Sequence, residues 1–125
     1  MTGEASQDTL AAWRAWRAAG QRWVAPALVH FEVANALHKY TRSGLLSTEA
    51  VDRTMALLLQ LPITAVDDDD LHRRALAAAR RYDIASVYDA HYLALAERMG
   101  IELVTADAAM HRRVTEAAPW VRLLE

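Results

Sequence analysis

The feature that most constrains this chain is a regular alternation of short apolar strands with helical segments. Strands joined through helices pair in parallel, because a parallel neighbour needs a crossover and the crossover helix covers the sheet. Four apolar runs are predicted as strands: Arg22 to Ala25, Ile63 to Val66, Ile101 to Thr105 and Val121 to Leu124. The sequence therefore predicts an α/β fold, a three-layer α/β/α sandwich with a mainly parallel sheet.

Start and stop signals place the helices between these strands. Serine or aspartate precedes several of them, and glycine or proline follows most of them. The predicted helices are 8–19 between Asp8 and Gly20, Leu28 to Thr41 ended by Gly44, the segment from the Ser47 cap up to Pro62, the segment from the acidic run Asp67 to Asp70 to near Tyr82, Ser86 to Met99 ended by Gly100, and Ala108 to Ala117. Ser86 and Asp89 fit the capping-box pattern [ST]-x-x-[DE].

Length and composition limit what else the chain can be. At 125 residues it can bury one sizeable core, so a single domain over residues 1–125 is expected. The absence of cysteine excludes disulfide frameworks, thiolate zinc sites and cysteine nucleophiles. A net charge of −2 gives no general attraction to nucleic acid. No apolar run approaches the roughly 18 residues of a membrane span, and no secretory pattern opens the sequence, so a cytoplasmic location is expected.

Two acidic residues lie where such a fold binds ligands, beyond the carboxyl ends of the strands, and a third, which no strand precedes directly, is predicted to join them. Asp107 comes two residues after the strand that ends at Thr105, and Glu32 lies early in the helix after the strand at Trp23. Asp89 lies in the first turn of a helix that follows another helix. Converging carboxylates repel one another unless a divalent cation neutralises them, and Mg²⁺ or Mn²⁺ suits carboxylate oxygens. The residues thus predict a metal site for phosphodiester hydrolysis.

Each of these acids also has a purely structural interpretation. Asp89 fits a capping-box residue, Asp107 fits the N-cap of the last helix, and Glu32 fits a solvated position on a helix. The residue types alone leave both interpretations open.

Longer blocks of sequence carry the acids in a particular order. They are VAPALVHFEVANAL from Val24 to Leu37, SVYDAHYLALAERMG from Ser86 to Gly100, and LVTAD from Leu103 to Asp107. In order, spacing and flanking residues, these blocks resemble the PIN-domain nucleases, and most closely the bacterial toxins of the VapBC type. The similarity covers nearly the whole chain.

The resemblance implies a Mg²⁺-dependent endoribonuclease, with Mn²⁺ as a substitute ion. Glu32, Asp89 and Asp107 would be its metal ligands and catalytic residues, with Thr105 or Asn35 supporting them through hydrogen bonds. In the family's usual mechanism a metal-activated water attacks the RNA phosphate. The resemblance further implies the toxin of a toxin–antitoxin pair, a homodimer, and a small antitoxin protein that blocks the acidic pocket.

One departure from the family pattern concerns its first metal ligand. PIN domains usually begin with an apolar strand that ends in an aspartate and lies in the centre of a sheet of order 3-2-1-4-5. This chain starts after that point, so the first strand and its aspartate are absent. Because the loss of a central strand leaves backbone groups unpaired, we expect an in-frame segment upstream of Met1. If Met1 is the true start, the metal affinity should be much reduced, and a non-catalytic PIN-like binding or assembly module is the alternative.

The remaining candidate groups have simpler explanations. The run Asp67 to Asp70 lacks the glycine and the distal glutamate of an EF-hand loop, so it is interpreted as the start of a helix. The histidines form no HExxH pair. Trp13 and Trp16, three apart on an amphipathic helix, are expected in the core or on a dimer surface. Arg112 and Arg113 are candidates for contact with RNA phosphates, because they lie on the helix that begins at the predicted pocket.

Overall fold

Strands and helices alternate along the chain largely as the sequence predicts. The computed structural model describes residues 15, 18–20 and 23–124. Its elements are β1 (Trp23–Pro26), α1 (Leu28–Arg42), α2 (Thr48–Gln60), β2 (Ile63–Val66), α3 (Asp69–Arg81), α4 (Val87–Met99), β3 (Leu103–Thr105), α5 (Ala108–Val114) and β4 (Val121–Leu123). They fall into two units, which divide between Val66 and Asp67.

In the first unit, β1 and β2 form a parallel pair. Trp23 lies opposite Ile63 and Pro26 opposite Val66, and α1 and α2 together make the crossover that parallel pairing requires. The prediction that Pro26 lies outside the strand is wrong by one residue. Proline has no N–H to donate, so it is tolerated as the last residue of β1, and the next N–H, from Ala27, donates to the Val66 carbonyl at 2.9 Å.

The predicted stop at Gly44 and the predicted cap at Ser47 are confirmed, although α1 ends at Arg42, one residue later than predicted. After α1, Gly44 has a φ of +79°, and the N–H of Leu45 reaches back to the Tyr40 carbonyl at 3.0 Å, which closes the helix in a Schellman motif. The Ser47 side chain accepts from the Ala50 N–H at 3.1 Å and so caps α2.

In the second unit, α3 and α4 pack against each other through small residues. Ala75 of α3 and Ala90 of α4 are both fully buried, and short side chains at these positions let the helix backbones approach closely. Leu71 of α3 and Leu93 of α4 are also fully buried. The apolar spacing of α3 predicts that Leu71, Ala75 and Leu76 lie on one buried face; this is confirmed for the first two and wrong for Leu76, which is 49% exposed.

The same unit contains a second parallel pair, β3 and β4, with α5 as its crossover. Leu103 lies opposite Val121, and the N–H of Leu124 donates to the Thr105 carbonyl at 2.8 Å. β3 begins two residues later than predicted, because the N–H of Ile101 is already bonded to the Ala96 carbonyl, where it closes α4. The last helix ends at Val114 rather than at Ala117, and β4 ends one residue early.

The predicted α/β class with parallel strands and crossover helices is confirmed. Among the described residues the strands form two parallel pairs, and no strand joins β1 and β2 to β3 and β4. The predicted helix at 8–19, with Trp13 and Trp16, lies largely outside the described residues. The expectation of one domain stays a prediction. None of the helices in the described part is long and apolar enough to cross a membrane.

Ion pairs join the last turn of α4 to the start of α3. The Arg98 guanidinium donates to both carboxylate oxygens of Asp68, at 2.9 and 3.0 Å, and to Asp70 at 3.2 Å. Asp68 is also the N-cap of α3 and accepts from the Leu71 N–H at 2.7 Å. The Arg98 bond and then the Leu71 bond hold the pKa of Asp68 below its usual value of 3.8.

This pKa shift predicts how stability changes in acid. A carboxylate with a lowered pKa in the folded state stabilises the fold above its ordinary pKa, and this contribution is lost as the pH falls through the folded pKa. In Asp68→Asn the side chain can still cap the helix, but it carries no charge. We expect urea midpoints to fall less between about pH 5 and pH 3 in Asp68→Asn than in the unmodified chain. Equal losses in both proteins, or a larger loss in the variant, would contradict the assignment; Asp52→Asn serves as a control for an exposed aspartate.

Candidate functional site

Asp107 stands at the carboxyl end of β3 as the N-cap of α5. One of its carboxylate oxygens accepts from the Met110 N–H at 3.0 Å. Its own N–H donates to the Thr105 hydroxyl at 3.1 Å, so the last residue of the strand fixes the backbone that carries the acid. The Asp107 side chain is exposed, and within the described residues its second carboxylate oxygen makes no hydrogen bond. Asp107 can therefore cap a helix and bind a cation at the same time.

Asp89 is the third residue of α4 and is half-buried in its first turn. A carboxylate at this end of a helix is stabilised by the helix dipole. The capping box predicted from Ser86 and Asp89 is wrong in one respect, because the Ser86 side chain makes no capping hydrogen bond although Ser86 is the N-cap residue. The pattern predicted the start of the helix correctly, although the hydrogen bond from the serine side chain is not formed.

Glu32 and Asn35 lie in the other unit, on α1. Both side chains are exposed, and their spacing of three residues puts them on the same side of the helix. α1 begins without a side-chain cap, since its N-cap residue is Ala27. Glu32 thus lies in the second turn of the helix that follows β1, the position that the sequence predicts for it.

The three acids predicted as metal ligands do not all belong to one unit of the fold. Among the described residues, no three side chains of His, Asp or Glu lie close enough together to hold a metal ion. Asp89 and Asp107 belong to one unit and Glu32 to the other. The convergence of all three acids therefore stays a prediction.

The donor chemistry of these residues fits Mg²⁺ or Mn²⁺. Asp89 and Asp107, the two predicted ligands in the second unit, offer carboxylate oxygens, which these hard ions prefer. Mg²⁺ in particular is usually bound through one or two carboxylates, with waters and substrate phosphates as its other ligands. The residues therefore fit a weakly caged Mg²⁺ ion, and within the described part they do not form a site closed by three protein ligands.

The two arginines predicted to contact RNA have different surroundings. Arg113 donates to the carbonyl oxygen of Asp83 at 2.8 Å and lies 3.4 Å from the Asp83 carboxylate. Arg112 is exposed, and in the part of the chain that the structure describes its side chain has neither a hydrogen bond nor an ion pair. Of the two, Arg112 has the guanidinium that is available to a ligand.

Sequence reasoning missed a chain of hydrogen-bonded histidines between α3 and α4. His91 is buried; one ring nitrogen contacts the Val87 carbonyl at 2.6 Å and the other contacts His72 at 2.8 Å. The far nitrogen of His72 lies 2.8 Å from the Asp67 carboxylate. No sequence spacing could have revealed it, because His72 and His91 are 19 residues apart. These hydrogen bonds join the start of α3 to the first turns of α4.

Comparison with known proteins identifies the family. The PIN domain matches residues 4–116, so this chain belongs to the PIN-domain family, as the three sequence blocks predicted. It is similar to proteins named Ribonuclease VapC3. The relative from Mycobacterium tuberculosis is 35% identical over 88 residues, which make up 70% of this chain and 62% of the relative. The relative from Pyrobaculum aerophilum is 33% identical over 94 residues, 74% of this chain and 68% of the relative. The chain thus spans less than two thirds of the mycobacterial protein.

Proposed function

We propose that this protein is a metal-dependent endoribonuclease of the cytoplasm and the toxin of a type II toxin–antitoxin pair. The observation that carries the proposal is the exposed Asp107, fixed at the carboxyl end of a parallel strand in a PIN-domain chain. The names of the relatives, which call them ribonucleases, support the choice of RNA as the substrate.

Glu32, Asp89 and Asp107 are the proposed ligands of one Mg²⁺ ion, which Mn²⁺ can replace. When bound, such an ion supplies positive charge that acidifies water and stabilises charge on a phosphate. Asn35 and Thr105 are the proposed supporting residues. Thr105 acts through the backbone, because its hydroxyl holds the N–H of Asp107 and so fixes the direction of that side chain.

Different residues are proposed to bind the ion and to contact the RNA phosphate. The cap bond to Met110 leaves one Asp107 oxygen for the ion, while Asp89, in the first turn of α4, brings a second carboxylate from the same unit. Arg112 is the proposed phosphate contact, since its exposed guanidinium has no partner among the described residues. The proposed partners are RNA, a second copy of the chain and a small antitoxin protein.

A non-catalytic PIN-like binding or assembly module is the second candidate. It is favoured by the lack of a three-ligand group among the described residues. Such a module would bind its partner without cleaving RNA, and it would not respond to Mn²⁺.

Cleavage of a labelled, structured RNA in Mn²⁺ distinguishes these functions. Asn at position 107 can keep the helix cap and the fold, but it removes the anionic ligand. We expect Asp107→Asn to cleave at least about 100-fold more slowly than the unmodified protein, because loss of a supporting residue alone costs 10- to 100-fold at metal sites. Asp52→Asn, at an exposed position on α2, is the matched control and should cleave normally. Equal rates for Asp107→Asn and the unmodified protein would refute the catalytic assignment, and cleavage by neither would favour the binding module.

The role of Arg112 is tested by the salt dependence of RNA binding, measured in the Asp107→Asn background. Each phosphate contact to single-stranded nucleic acid contributes about 0.7 to the slope of log K against log salt concentration. We expect Arg112→Gln to weaken binding and to reduce the slope by about that amount. Arg122→Gln removes the same charge from an exposed position in β4 and should leave the slope unchanged. An unchanged slope in Arg112→Gln would rule out this contact.

A further inference from the structure

The turn that follows α3 has an unusual residue at its tightest point. The N–H of Ile84 bonds to the Ala79 carbonyl at 2.9 Å, and the N–H of Asp83 lies 3.4 Å from the Arg80 carbonyl, which is the pattern of a Schellman motif. Asp83 has a φ of +53° and is the only residue other than glycine with a positive φ in the described part of the chain. The position normally favours glycine, because a Cβ atom is disfavoured there, although aspartate tolerates this conformation better than most residues do.

The ends of α1 and α4 show the usual solution. Gly44 and Gly100 occupy the corresponding positions, with φ values of +79° and +64°. At the equivalent point after α3, Asp83 takes the place of glycine, and it makes a contact that a glycine side chain could not make. That contact comes from α5.

Arg113, in the last turn of α5, supplies the contact to Asp83. Its Nη1 atom donates to the Asp83 carbonyl oxygen at 2.8 Å and lies 3.4 Å from the carboxylate. The Asp83 side chain is 98% exposed, so the ion pair is strongly screened by water. The charge-assisted bond to the carbonyl is the interaction that fixes the backbone of the turn.

This contact links the two segments that carry the acids of the second unit. Asp83 lies three residues before Ser86, the N-cap residue of α4, and Asp89 lies in the first turn of that helix. Arg113 lies on the helix that Asp107 caps. α5 packs chiefly against β4, whereas α4 packs against α3 and β3, so the bond adds a direct tie between the approach to α4 and α5.

We propose that Arg113 is a positioning residue of the metal site. By holding the turn at Asp83 against α5, it fixes the backbone that carries Asp89 relative to the backbone that carries Asp107. This inference rests on the proposed function, and it gives Arg113 a different role from Arg112. Arg113 acts through the position of the acids, and its guanidinium does not contact RNA.

The test is the affinity for Mn²⁺ in the absence of RNA, followed by the electron paramagnetic resonance signal of the free ion. We expect Arg113→Gln to weaken Mn²⁺ binding by about 10-fold, the smaller of the losses typical of residues that orient metal ligands. Arg113→Lys should recover most of the affinity, because one donor to one carbonyl oxygen is all that the contact needs. Arg122→Gln, which breaks an exposed ion pair with Glu102, controls for loss of charge and should bind Mn²⁺ normally.

The outcomes separate this inference from the proposed function. Normal Mn²⁺ affinity in Arg113→Gln, while the unmodified protein binds Mn²⁺, would overturn the positioning role alone. An equal loss in Arg122→Gln would overturn it in favour of a general charge effect, and weaker RNA binding with unchanged Mn²⁺ affinity would overturn it in favour of a phosphate contact. If the folded, unmodified protein binds no Mn²⁺, the proposed function fails as well. The thermal midpoint of each variant, measured without metal, shows that the variants are folded.

Discussion

Parallel pairing of strands governs where the chain can place chemistry. A parallel neighbour can be reached only by a crossover, which is usually a helix, and here that helix, α5, begins three residues after β3 ends. Asp107 occupies that start, and its position follows from the pairing of Leu103 with Val121 and from the cap bond to Met110. The crossover thus begins at the residue that carries the acid, and Asp107 is exposed there.

The Asp107 carboxylate has two oxygens, so it can cap a helix with one and still offer the other to a metal ion. The cap uses one oxygen of Asp107 and fixes the side chain, while the second oxygen has no hydrogen bond among the described residues. Thr105 adds a further constraint through the backbone. The structural and the proposed functional roles of Asp107 are therefore compatible, because the capping bond fixes the side chain and leaves one oxygen for the proposed ion. Asp89 lies in a first turn where the helix dipole favours a carboxylate.

Much of the fold could be predicted because its signals are local. The Ser47 cap located the start of α2, the strand Ile63–Val66 was predicted at its exact bounds, and Gly100 marked the end of α4. Each of these signals acts on residues within one helical turn, where spacing in the sequence equals spacing in the structure. The errors arose where local signals compete, as at Ile101, whose N–H closes a helix instead of extending a strand.

The tertiary contacts could not be predicted in the same way. The bonds from Arg98 to Asp68 and from Arg113 to Asp83 each join residues 30 positions apart, and no periodicity connects such pairs. The sequence therefore predicted the same RNA contact for Arg112 and Arg113, although in the described structure only Arg113 forms a hydrogen bond, to Asp83. For the site itself, the sequence blocks predicted the family, whereas the shared binding of one ion by three acids stays a prediction.

The central claim is that Asp89 and Asp107 bind a divalent cation together, and titration calorimetry with Mn²⁺ tests it most directly. The account predicts one site in the folded protein, with binding weakened at least about 10-fold in both Asp89→Asn and Asp107→Asn. Each variant should keep the circular dichroism spectrum of the unmodified chain. A folded protein that gives no heat of Mn²⁺ binding, or variants that bind as tightly as the unmodified chain, would contradict the claim.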